Sequence, residues 1–179
     1  ATGERTEVVK PKTDVWEWYA DADGVVRAGL GFQSKSWFML YRRSADEPFR
    51  KLGHASYADD SAGLLLLGFA RGSDDGYLLS DQKTGRFALY RYDYAAQKLG
   101  EVVYEHPVND IDDYSLSRDG ERVMAVAYTD ERERVVWLDP AMRVNQEKIE
   151  ARFPGMSVLF VSRDDARERP LQPLLGEEV

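Results

Sequence analysis

Two histidines, three short groups of aspartates and one truncated nucleophile motif are the residues of this sequence whose types and spacing bear on chemistry. His54 and His106 each follow an expected outer strand and fall in loops. A hydrolytic triad needs a histidine within hydrogen-bond reach of an activated serine and oriented by a carboxylate. Nothing in the sequence supports such an arrangement, and both read as surface histidines. The aspartates group as Asp21 with Asp23, Asp59 with Asp60, and Asp110 with Asp112 and Asp113. A calcium loop spaces three acids around a glycine and adds a distal glutamate. Asp21-Ala22-Asp23-Gly24 is only a remnant of that, so the acids read as turn chemistry. Paired glycosidase acids are defined by a separation in space that spacing in sequence does not give.

Gly155-Met156-Ser157-Val158-Leu159 begins like a nucleophile elbow but lacks its last glycine, and it leads from loop into strand rather than from strand into helix. Gly29-Leu30-Gly31 opens a glycine-rich phosphate motif, yet Ser34 stands where the third glycine belongs. Asp130-Glu131-Arg132-Glu133-Arg134 reads as a solvated hairpin tip. Pro170-Leu171-Gln172-Pro173 has the spacing of a polyproline ligand but sits in an expected tail. No catalytic, cofactor-binding or metal-ligating residue is assigned, and no cofactor is expected.

What positions these residues is a β-sheet that repeats. The stretch 114–140 holds three short apolar runs, at 115–117, 123–128 and 135–138, separated by the turns Arg118-Asp119-Gly120 and 129–132. Runs rich in Val, Tyr and Trp suit half-buried strands, and Asp-Gly supplies the positive φ of a tight hairpin. Earlier strands are expected at 15–19, 25–32, 36–42 and 49–52, then at 64–70, 77–80, 86–93 and 99–106. After Pro140 the period changes, and 141–152 reads as one helix ended by Phe153-Pro154-Gly155. A strand follows at 156–162.

The runs recur. Phe38-Met39-Leu40-Tyr41-Arg42 aligns with Phe87-Ala88-Leu89-Tyr90-Arg91, Tyr92-Asp93 with Leu138-Asp139, and Ser117-Arg118-Asp119 with Ser162-Arg163-Asp164. Several strands per period of about 45–50 residues is the signature of propeller blades. The expected fold is therefore all-β: antiparallel meander blades of a β-propeller, about three plus part of a fourth, with one short helix. Residues 1–13 form a polar lead-in, 14–165 the partial propeller, and 166–179, with two prolines, an irregular tail. An ordinary β-sandwich is the competing fold, since it too spaces short strands regularly.

Composition agrees and narrows the partners. The 179 residues are 43% hydrophobic and 12% aromatic, enough for a packed core. The formal net charge is −8 with an isoelectric point near 4.9, which argues against nucleic acid and anionic membrane as partners. Absence of cysteine excludes disulfides, cysteine-ligated zinc and a cysteine nucleophile. The longest apolar run, 63–70, is far short of the ~20 residues of a membrane span. Residues 1–13 lack the apolar centre of a signal peptide.

At Leu67-Gly68-Phe69, Arg86-Phe87-Ala88-Leu89-Tyr90-Arg91-Tyr92-Asp93, Tyr104-Glu105-His106-Pro107, Ser117-Arg118-Asp119-Gly120 and Val136-Trp137-Leu138-Asp139-Pro140, the chain resembles the N-terminal β-propeller region of bacterial serine peptidases of the prolyl oligopeptidase family (S9). The nearest types are dipeptidyl aminopeptidases and acylaminoacyl-peptidases, and the similarity covers roughly residues 14–165. The resemblance implies a propeller that caps an α/β-hydrolase domain and admits short peptides. The catalytic Ser, Asp and His of that family lie downstream, so none is carried onto this chain. Its expected partners are the hydrolase domain and, for the whole enzyme, short peptides, in the bacterial cytoplasm or periplasm. A stand-alone, protein-binding propeller scaffold without catalysis is the alternative. A terminal blade without a neighbour leaves apolar surface open, so self-association is expected through the region from Trp16 to Tyr41, including Trp37, or from Val158 to Val161, including Phe160.

Overall fold

The computed structural model describes residues 3, 7–56 and 64–154 together with four later two-residue strands, and side chains at 3, 7–52 and 67–154. The first sheet is an up-and-down meander of β1 (Val15–Ala20), β2 (Val26–Gln33), β3 (Ser36–Tyr41) and β4 (Arg50–Ser56). The second repeats it with β5 (Leu64–Phe69), β6 (Asp75–Ser80), β7 (Ala88–Asp93) and β8 (Lys98–Tyr104). The third contains β9 (Asp113–Leu116), β10 (Val123–Thr129) and β11 (Glu133–Trp137). All pairings are antiparallel, and in each sheet every strand pairs with its neighbours in sequence.

The three sheets stack in chain order. Ala28, Leu30, Met39, Tyr41 and Leu52 of the first pack against Leu67, Phe69, Leu78, Tyr92 and Tyr94 of the second. Tyr77, Leu79 and Leu89 on the other side of the second sheet pack against Ile111, Val126 and side chains of the third. Strand β6 therefore reads as a continuous buried run, Gly76 to Ser80, rather than an alternating one. A strand covered on both faces is driven by side-chain volume rather than by polar alternation. Tyr94 is the hub of the first interface, its ring 4.3 Å from that of Phe69, 4.9 Å from Tyr92 and 5.6 Å from Tyr41. Each such buried aromatic is worth about 1.5–3 kcal/mol of transfer free energy.

Glycines let the backbones meet. A Cβ on Gly68 would lie 2.7 Å from the Tyr114 hydroxyl and 2.8 Å from Leu116 Cδ1, so this position of β5 admits the side chains of β9 only because it has none. Gly120, at φ +74°, faces the carbonyl oxygen of Phe69. The Asp-Gly turn of the third sheet thus does two things: it closes a hairpin and it seats that hairpin on the second sheet.

Three expectations need correction. His54 lies within β4, whose pairing runs to Ser56 opposite Ser36, and not in a loop after a strand ending at 52. The β3 edge offers backbone partners along its full length, and the residues of β4 follow it. The helix, α1, spans Pro140–Glu150 rather than 141–152. Asp139 caps it by accepting from Met142 N at 3.0 Å, which makes Pro140 its first residue, a position where a missing N–H costs nothing. At the other end Arg152 N turns to Ile149 O at 2.9 Å, a tighter turn that ends the helix before 152. Arg163-Asp164, aligned above with the turn residues Arg118-Asp119, forms β13 (Arg163–Asp164) instead, paired with β14 (Arg169–Pro170). The chain therefore still reverses after Asp164, but later in register than an Asp-Gly turn like that at 118–120 would place it, because Asp164 itself pairs with Arg169. Strand β12 (Val158–Leu159) pairs with β15 (Leu174–Leu175) in the same antiparallel register. The rest of the expected tail lies outside the described residues.

Candidate functional site

The first strands of all three sheets converge. Tyr19 of β1, Leu67 and Phe69 of β5, and Tyr114 and Leu116 of β9 line a cleft of about 370 Å³. The turns that follow β1 and β9 sit at its rim, and one chemistry builds these two and the turn after β5. Asp21 Oδ1 accepts from Asp23 N at 3.1 Å and Val25 N at 3.0 Å. Ser73 Oγ accepts from Asp75 N at 3.0 Å. Ser117 Oγ accepts from Arg122 N at 3.0 Å and donates to Asp119 Oδ1. Short polar side chains that bond the backbone a few residues on are the usual means of fixing such turns.

The turns also bind one another. Arg27 is fully buried where the first sheet meets the second. Its guanidinium donates to Asp21 Oδ2 at 3.1 Å, to the Tyr41 hydroxyl at 3.1 Å and to the Ser73 carbonyl at 2.6 Å, with Nε on the Arg42 carbonyl at 3.0 Å. The Tyr41 hydroxyl donates to Asp74 Oδ1. Burial, reinforced by that carboxylate, pushes the Tyr41 hydroxyl up to about 12, while Arg27 works in the opposite direction. On the other side, Arg71 N donates to the Asp119 carbonyl at 3.2 Å and Arg71 Nε lies 3.2 Å from Asp23 Oδ1. Asp119 is held below the ordinary carboxylate range by the Ser117 hydroxyl and the Glu121 N–H.

Beside the cleft lies a polar hollow of about 510 Å³, lined by Arg71, Arg118, Arg122, Asp119 and Asp139. Ser117 and Arg118 line both spaces. The tyrosines under the cleft are not acid–base groups. Burial raises Tyr94 and Tyr114 far above the ordinary phenol, and both hydroxyls donate to the Tyr77 carbonyl, at 2.9 and 3.1 Å. Ser117 bonds a carboxylate and backbone, and among the described residues no serine or threonine hydroxyl bonds a histidine. This arrangement can hold and orient a ligand through apolar contact and guanidinium donors. Among the described residues it holds no serine–histidine pair.

The residues singled out by type fall largely outside this site. His106 accepts from Val108 N at 3.3 Å and Asn109 N at 3.0 Å and stacks on Tyr128 at 4.3 Å, so it shapes a turn. Asp110 caps Phe87 N at 2.7 Å. Asp130 accepts from Arg132 N and pairs with Arg134 at 3.1 Å, as a hairpin tip does. Gly29, Leu30 and Gly31 belong to β2. Asp21 and Asp113 do reach the cleft, Asp21 through turn bonds and Arg27. Ser157, Asp59, Asp60, Leu171, Gln172 and Pro173 lie outside the described residues. Residue type alone did not point to Arg27 and Arg118. The signal for Arg27 was a cation inside the apolar run 25–32; Arg118 in a turn carried none. Comparison with family models, curated proteins and solved structures returns no match, so the identity of the chain rests on its own residues and geometry.

Proposed function

We propose that this chain is the noncatalytic β-propeller portion of an S9 serine peptidase, which caps an α/β-hydrolase domain and restricts access to short peptides. The observation that carries the reading is the stacking of three consecutive meanders with their first strands meeting on one cleft. Radial blades place their first strands around an axis in this way. A cleft with apolar walls, whose Ser117 hydroxyl is spent on Asp119, suits a passage or a holding site. The coding sequence downstream of residue 179 is the test. It is expected to encode a strand–turn–helix carrying a Gly-x-Ser-x-Gly elbow; a stop codon directly after Val179 would sink the proposal. A serine-directed fluorophosphonate is expected to leave this chain unlabelled, and stoichiometric labelling would place catalysis here instead. A stand-alone protein-binding scaffold is the second reading, favoured by the exposed Val102 and Val108 on and just beyond the outer strand β8.

A further inference from the structure

The polar hollow concentrates positive charge in an acidic chain. Three guanidiniums, of Arg71, Arg118 and Arg122, line it against two carboxylates, of Asp119 and Asp139. Both carboxylates are already engaged. Asp119 accepts from the Ser117 hydroxyl and from Glu121 N at 3.1 Å, and Asp139 caps α1. The guanidiniums are not saturated. Arg118 is exposed and has no hydrogen bond or ion pair among the described residues. Arg122 lies 3.7 Å from Asp139 Oδ2, beyond hydrogen-bond distance, and Arg71 engages only Nε. An arginine is charged at any working pH and presents a planar fork that matches a carboxylate. The remaining donors therefore favour an oxyanion.

The hollow does not stand alone. Ser117 and Arg118 form its boundary with the cleft, whose walls are Tyr19, Leu67, Phe69 and Leu116. We propose that the two spaces form one site for a ligand with an apolar body and a terminal carboxylate: the last residue of a short peptide, its side chain in the cleft and its C-terminal carboxylate on Arg118, with Arg71 and Arg122 beside it. This deepens the peptide-gating reading, on which the identity of the ligand rests.

The experiment is titration of the chain with N-acetyl-phenylalanine, its carboxamide and inorganic phosphate, followed by protein NMR shifts. The acid binds at least about tenfold tighter than the amide, a difference of about 1.4 kcal/mol, and added salt weakens it. Arg118→Gln removes the preference for the acid without moving the urea midpoint. Arg134→Gln, at a distant hairpin tip, leaves binding unchanged. Equal binding of acid and amide overturns the proposal, as does acid binding unaffected by Arg118→Gln, or no binding of the acid. Phosphate binding as tightly as the acid overturns the part played by the cleft. These outcomes are separate from the downstream-sequence test: carboxylate binding by a chain followed by a stop codon would keep the site and remove the peptidase.

Discussion

Arg27 Nη2 and Asp74 Oδ1 lie 3.8 Å apart across the seam between the first and second sheets. The cation comes from the second strand of one meander and the anion from the first turn of the next. Asp21 closes the arrangement at 3.1 Å on the same guanidinium, with its side chain 5% exposed. The rings of Phe69 and Tyr41 lie 5.2 and 5.7 Å from the guanidinium carbon. A buried charge with this many partners aligns two sheets by direction as well as by contact, which apolar packing alone does not do.

Arg27→Ala removes the cation and leaves Asp21 buried without its counter-charge. Breaking one side of a buried pair costs about 3–5 kcal/mol, a large part of a domain's ~5–15 kcal/mol. Urea unfolding is expected to show that loss as a lower midpoint. A loss below about 1 kcal/mol, the range of an exposed pair, would show that the seam is held by the aromatic contacts instead.

Gly120 and Gly85 separate backbone strain from crowding. Both have positive φ, +74° and +71°, but a Cβ at Gly85 meets nothing within 4 Å while one at Gly120 runs into the Phe69 carbonyl. Gly→Ala at Gly85 is expected to cost about 1–2 kcal/mol, the left-handed penalty alone. Gly120→Ala should exceed it by about 1–3 kcal/mol of overpacking. Equal midpoints for the two variants would mean that the third sheet does not seat on the second at this turn.

Alkaline titration follows from the tyrosines. Tyr41 is raised to about 12, and Tyr90, Tyr92, Tyr94, Tyr104 and Tyr114 are raised too, burial being the first cause in each. A phenol that holds its proton more tightly when folded adds stability that is complete below its unfolded value near 10 and is lost as pH rises through the folded value. For Tyr41 that window is pH 10 to 12. Absorbance of the phenolate is expected to lag behind free tyrosine and then rise together with unfolding. Tyr41→Phe should flatten the fall in stability across this window; an unchanged slope would place the loss on the other tyrosines.

Strand positions were legible because the signals are local. Val, Tyr and Trp runs bounded by Asp-Gly or Gly-Ser-Asp turns set β1 to β11 to within a few residues, and Pro140 after Asp139 marked the helix. The site was not legible. Its residues come from 19 to 139, and what joins them is the stacking of sheets, which spacing in sequence does not encode. Arg27 looked like an interruption in a strand, and only the neighbouring Asp21 and Asp74 make it a link. Among the described aspartates that stood out as possible ligands, Asp21, Asp110 and Asp113 went to backbone N–H groups, as short polar side chains do where a chain reverses.

The order of the sheets along the chain has a consequence for synthesis. The second sheet covers the first, and it is the later one to leave the ribosome. Leu30, Met39 and Tyr41 are therefore made before Leu78 and Tyr94 exist to shelter them. At ~5–20 residues per second, the ~50 residues between the ends of the two meanders amount to several seconds of exposed apolar surface. Slowing translation after β4 would lengthen that interval.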